Sequence, residues 1–174
     1  INREKLSILL QSVIDENNIV KIIPKDLESF FKVCFILDNL NKIPQNINLW
    51  FVYLLSYINK NILLEDISKI VYCIDFLYSK TELHPNELIL LIKKVRELML
   101  MIKESYQNDG SYKSSIKASP VDETRYALFS INLLEDLIQD MIYYYSVTEL
   151  KPLKKIYENL ENIEKTYELI KSAK

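Results

Sequence analysis

The side chains that could carry out acid–base or nucleophilic chemistry are few in this chain. It has a single histidine, His84, and two cysteines, Cys34 and Cys73. A histidine beside a cysteine can activate the thiol, but nothing in the spacing of these three residues indicates such a pair. A single histidine excludes two-histidine zinc sites, and a single glycine, Gly110, excludes the glycine-rich loops that hold phosphates. We therefore predict no catalytic residue, no metal site and no cofactor.

Carboxylates are more plentiful, and two of them are spaced to act together. Asp136 and Asp140 are four residues apart and share one face of a helix. Like charges at this spacing repel each other, so the pair could be a functional acidic patch. We favour the simpler interpretation, a helix face in water. A di-metal carboxylate bundle would need Glu-x-x-His pairs, which are absent.

The prolines indicate the elements that position these groups. Proline suits the first turn of a helix, where its missing N–H would be unpaired anyway. A stretch with helical periodicity follows each of the five: Pro24, Pro44, Pro85, Pro120 and Pro152. No stretch shows the sustained alternation of a strand. The fold class is predicted to be all-α, with about seven helices at roughly 3–16, 24–41, 45–60, 64–79, 85–107, 120–146 and 149–172.

The arrangement of these helices is less determined than their number. Residues 1–174 are predicted to be a single domain, with an exposed loop at 107–119, which holds the only glycine and four serines. Helix 85–107 is apolar on most sides and is predicted to be central; the alternative is that one of its faces awaits a partner. When the sequence is shifted by 40 residues against itself, Asp26 falls on Asp66 and several apolar positions fall on apolar positions. We favour a compact irregular helical bundle, with a short HEAT- or armadillo-like α-solenoid as the alternative.

Two segments carry side chains suited to a protein interface. Three consecutive tyrosines cannot all point into one core, and tyrosine is well suited to an interface rim. The last predicted helix has apolar residues at alternating spacings of three and four, as in a coiled-coil seam. We expect the seam to pack within the domain, with a second subunit as the alternative. The candidate partner-binding residues are Tyr143, Tyr144, Tyr145, Leu153, Ile156, Leu160, Ile163 and Tyr167.

Charge and composition narrow the classes of partner. The formal net charge is −2 and no segment is a basic block, so the electrostatic footprint of nucleic-acid binding is absent. No apolar run is long enough for a membrane span. Both cysteines lie in apolar runs, and there is no Asn-x-Ser/Thr site. These features favour an intracellular, cytoplasmic protein.

The sequence therefore predicts a non-catalytic helical module for protein–protein interaction, an adaptor or scaffold. A homo-oligomer formed through the C-terminal helix is one form of this prediction. The alternative is a nucleic-acid-binding helical repeat domain, which would need Lys93, Lys94 and Arg96 to line one concave face.

Overall fold

The computed structural model describes residues 23–59, 61–116 and 118–147, together with Lys165 and Glu168. These residues confirm the all-α class, because they contain no strand beyond one isolated bridge between Tyr106 and Tyr112. The helices are α1 (Leu27–Asn39), α2 (Ile47–Ser56), α3 (Leu64–Tyr78), α4 (Pro85–Glu104) and α5 (Pro120–Val147). The predicted count of about seven is not confirmed, since the helices predicted at 3–16 and 149–172 lie outside the described residues. Within the described parts, no helix has the length and apolar character to span a membrane.

Two of the prolines begin helices as the sequence predicts. Pro85 is the first residue of α4 and Pro120 is the first residue of α5. Just before α4, the backbone N–H of His84 donates to the carboxylate of Glu87 at 3.0 Å. Proline and an acidic first turn therefore determine where these helices begin.

The first two described helices begin later than predicted, three residues after their prolines. The carboxylate of Asp26 accepts the backbone N–H of Ser29 at 2.8 Å, which caps α1. Asn46 precedes α2 with a left-handed φ of 54°, which asparagine adopts more readily than most residues. The side-chain cap at Asp26 and the left-handed backbone at Asn46 mark these two starts, and the prolines only precede them.

The helix at the centre of the described core is α3. Helices α1, α2 and α5 all pack against it, and its contact with α5 is the most extensive. Apolar side chains cover most of its circumference, so it has to be surrounded. The buried residues of α3 are Leu64, Ile67, Ser68, Ile70, Val71, Cys73, Ile74, Phe76 and Leu77.

The prediction that α4 is central is wrong for the described residues. Its contacts with α2 and α5 are less extensive than those around α3, and Leu90 and Leu100 are exposed. The reason is that Lys93, Arg96 and Lys103 lie at helical spacing with these leucines, on a face that turns to water. The number of apolar residues in the helix does not show that its charged residues share one face.

Helices that are two apart in the chain contact each other: α1 packs on α3, α2 on α4 and α3 on α5. α3 begins 37 residues after α1, and α4 begins 38 residues after α2. The spacing is slightly shorter than the 40-residue shift found in the sequence. As a result Asp26, which caps α1, corresponds to Leu63 at the start of α3 and not to Asp66.

A buried carboxylate anchors the segment between α4 and α5. Glu123, only 2% exposed, accepts hydrogen bonds from the backbone N–H groups of Ser114 and Ser115 and from the Ser114 hydroxyl. The same hydroxyl oxygen accepts the backbone N–H of Leu64, the first residue of α3, at 3.0 Å. Glu123 lies in the first turn of α5, where a negative charge is favourable. The connection thus has an anchored inner side, while Asn108 to Gly110 are exposed.

This anchor can be tested with two neighbouring carboxylates. Glu123→Ala should lower the free energy of unfolding by about 2–3 kcal/mol, because partly buried donors of the connection lose a charged acceptor. Asp122→Ala should cost less than about 1 kcal/mol, because Asp122 is exposed and its pair with Arg125 lies at the surface. Urea denaturation measures both. Equal effects of the two substitutions would contradict the anchoring role.

Candidate functional site

The second described helix, α2, contains no charged residue. It belongs to the stretch 43–59, which has no Asp, Glu, Lys, Arg or His at all. The residues on its inner face are buried: Trp50, Phe51, Leu54 and Leu55. The opposite face of a helix at a protein surface is normally polar. In α2 that face is apolar at Leu49, Val52 and Tyr53, with the exposed Ser56 at its C-terminal end. This makes the helix the leading candidate for a functional surface.

Three side chains form what we call the α2 outer face. Leu49, Val52 and Tyr53 have exposed fractions of 57%, 48% and 37%. Their spacing of three and four residues places them on one stripe of the helix. The connection that precedes α2 in the chain carries two further exposed apolar side chains, Leu40 and Ile43. Exposed apolar groups that share one stripe of a helix, as Leu49, Val52 and Tyr53 do, are typical of contact surfaces.

Among the described residues, the buried side-chain atoms without a hydrogen-bond partner belong to α2 and to the residue that caps it. They are Nε1 of Trp50 and the hydroxyl of Tyr57. The Trp50 ring lies 5.1 Å from that of Phe30 in α1, and Tyr57 makes an edge contact with Tyr53. Burial, followed by the neighbouring Tyr53 and the charge of Asp26, raises the pKa of Tyr57 to about 12. The unpaired Nε1 of Trp50 costs about 1–3 kcal/mol, which the apolar packing of α2 has to offset.

The predicted partner-binding residues are only partly described. Tyr143 lies near the end of α5 and is 71% exposed. The side chains of Tyr144 and Tyr145 lie outside the description. So do the residues of the predicted seam: Leu153, Ile156, Leu160, Ile163 and Tyr167. Their role stays a prediction.

The sequence did contain a signal for the α2 outer face. It is the absence of charge between residues 43 and 59, which is unusual for a helix at a protein surface. Periodicity alone could not identify the face, because apolar residues occupy both sides of the helix.

The acidic pair predicted on one helix face belongs to a larger cluster. Asp136 and Asp140 of α5 lie near Asp75 of α3 and Asp38 of α1. Burial, and then the charges of Asp136, Asp140 and Asp38, raise the pKa of Asp75. Asp38 accepts a hydrogen bond from the Tyr72 hydroxyl at 2.8 Å. Within the described ranges, no group of three or more His, Cys, Asp or Glu side chains has an arrangement that could hold a metal ion.

The residues with nucleophilic potential lie apart. Cys34 of α1 and Cys73 of α3 are fully buried, with their thiols within hydrogen-bonding reach. Burial, and then Cys34, raise the pKa of the Cys73 thiol. A thiol of this kind is a poor nucleophile. His84 is exposed at the start of α4, whereas both thiols are buried in the core.

The basic residues of α4 do not form a purely basic surface. Lys94 pairs with Glu97 at 2.6 Å. Lys93 and Arg96 line a shallow groove of about 250 Å³, and Glu97 and Leu100 are part of the same lining. The groove therefore mixes two cations with a carboxylate and apolar groups.

No protein-family model, curated protein or solved structure matches this chain. Its function has to be inferred from the geometry of its own residues.

The acidic cluster generates a prediction about pH. The folded pKa of Asp75 lies above its unfolded value, so the ionised group opposes folding at neutral pH. Asp75→Asn should raise the free energy of unfolding at pH 7 by about 0.5–1 kcal/mol, since it relieves repulsion from neighbouring carboxylates. The gain should shrink as the pH falls through the raised folded pKa towards the ordinary value of 3.8, and it should be small well below that value, where Asp75 is protonated in both states.

Asp66→Asn is the matched control on the same helix. Asp66 pairs with Lys69 at 3.7 Å, and the same ammonium group also neutralises Glu28 and Glu65, so the substitution of Asp66 should give no gain. Urea denaturation at pH 7 and pH 3.5 distinguishes the two. A gain at pH 3.5 as large as at pH 7 would show that repulsion at Asp75 is not the cause.

Proposed function

We propose that this chain is a non-catalytic protein–protein interaction module that binds an amphipathic helix of a partner on the α2 outer face. The observation that carries the proposal is that α2 is uncharged and exposes Leu49, Val52 and Tyr53 on the side away from the core. A partner helix with apolar residues at matching spacing is a recurrent way to cover such a stripe.

The chemistry of the face determines what it can select. Full burial of a leucine or valine side chain is favourable by about 1.5–3 kcal/mol, and roughly half of that remains to be gained at Leu49 and Val52. Tyr53 adds an aromatic ring with a polar tip, a residue type that often dominates the energy of an interface. Docking there would remove no ionised side chain of α2 from water, so it carries no large desolvation cost.

The nucleic-acid alternative has less support. The face that the structure leaves apolar carries no cation, and Lys93 and Arg96 share their groove with Glu97. The cluster around Asp75 would repel phosphates. An adaptor or scaffold role agrees better with this distribution of charge.

The contacts also bear on the architecture that would present α2. Packing of α1 on α3, α2 on α4 and α3 on α5 repeats one relation along the chain. This supports the solenoid-like alternative over an irregular bundle for the described helices, because helices of adjacent repeats stack in this order. In such a stack one side of each helical layer faces outward, and α2 would lie on that side.

The proposal is tested by placing a charge on the face. Val52→Asp should leave the fold intact, because Val52 is half exposed, and should weaken partner binding at least tenfold. Leu128→Asp on α5 is the control, since Leu128 is an apolar residue of similar exposure outside α2. Proximity labelling in the native cell identifies proteins lost from Val52→Asp alone. Titration of a synthetic helix from such a protein then measures the affinity.

Circular dichroism and the melting temperature show whether both variants fold. Identical sets of labelled proteins for the wild type and both variants would contradict the proposal. Loss of the same proteins from Leu128→Asp would contradict the assignment to α2.

A further inference from the structure

We propose that residues 1–22 dock on the α2 outer face in the same molecule and compete there with an external partner. The inference rests on the proposed function, in that it takes this face to be a binding surface. It adds the identity of the occupant when no partner is bound.

The sequence of this segment has the character that the face requires. Leu6, Leu9, Leu10 and Val13 recur at spacings of three, one and three residues, which is one stripe of a helix. The charged residues Glu4, Lys5, Asp15 and Glu16 fall outside that stripe, together with the apolar Ile8 and Ile14. A short amphipathic helix is marginal in water and needs an apolar surface to be stable.

The segment joins the described chain at the correct end of α2. Ile23 is partly buried against the core, and Asp26 is close enough to Tyr57, the residue that caps α2, to affect its pKa. One turn later, Phe30 contacts Trp50 of α2. The described chain therefore begins, at Ile23, three residues before a side chain that lies near the C-terminal end of α2.

The lengths allow docking along the whole helix. The ten residues of α2 are about 15 Å long and the predicted helix 3–16 would be about 21 Å long. The six residues 17–22 can span up to about 20 Å when extended. This linker is sufficient to turn the segment back along α2.

Two other occupants fit less well. A second copy would need about 800 Å² of contact from each partner for a stable dimer, which is more than three side chains on a ten-residue helix provide. A tethered segment needs less area, because its effective concentration is in the millimolar range. The C-terminal residues 148–174 follow α5, which packs on α3 and α4 and makes no extensive contact with α2 among the described helices.

A double-mutant cycle in the full chain tests the contact. Leu9→Ala and Leu49→Ala should each raise the equilibrium constant of unfolding. In the Leu9→Ala background the effect of Leu49→Ala should shrink by threefold or more, as for residues in contact. Leu128→Ala is the control, and its effect should not depend on residue 9. Val13→Ala provides a second cycle with Leu49→Ala.

The possible outcomes separate the two proposals. Additive effects in both cycles, within about twofold, would overturn docking of residues 1–22. Coupling that grows with protein concentration would assign the contact to a second copy of the chain. Coupling of Leu49 to Leu160 but not to Leu9 would assign the contact to the C-terminal residues. Either result overturns the inference. If the cycles are additive but Val52→Asp still loses its partners, the inference fails and the proposed function stands. Coupling without any loss of partners would support the docking and contradict the proposed function.

Discussion

The burial of α3 is the constraint on which the rest of the described structure depends. A helix that is apolar around most of its circumference has to be enclosed, and α1, α2 and α5 enclose it. The contact with α1 places the thiols of Cys34 and Cys73 together, and the contact with α5 brings Asp75 close to Asp136 and Asp140. The hydroxyl of Ser114, held by Glu123, binds the first amide of α3. Because the inner face of α2 is buried in this core, only its outer face is available to bind a partner or another segment of the chain.

The sequence predicted those parts of the structure that depend on local chemistry. Pro85 and Pro120 begin helices because a proline has no amide hydrogen to leave unpaired. α1 and α2 begin two to three residues later than predicted, because the cap at Asp26 and the left-handed backbone at Asn46, and not the prolines, mark their starts. Which helix is central could not be predicted, because α3 and the more apolar-looking α4 differ in what packs around them. The acidic cluster joins three helices, so no spacing along the chain could reveal it.

The candidate site also depends on packing that the sequence alone does not reveal. The sequence favoured the tyrosines at 143–145, where clustering along the chain was conspicuous. The α2 outer face became recognisable only when burial separated Trp50 and Leu54 on one side of the helix from Leu49 and Val52 on the other. An uncharged helix with one side in the core and the other exposed is suited to holding an apolar partner. A segment of the same chain on that surface would keep it covered until a partner displaces it, which makes the accessibility of the face the quantity that binding changes.

The most direct measurement is therefore the rate at which a thiol at position 49 reacts with a maleimide in the full chain. Cys34 and Cys73 are fully buried, so they react slowly in the folded protein. We expect Leu49→Cys to react at least tenfold more slowly than Ile116→Cys, a position that is almost fully exposed, and to speed up when Leu9→Asp is added. Equal rates at positions 49 and 116, unchanged by Leu9→Asp, would show that the α2 outer face is bare in solution and would contradict the account.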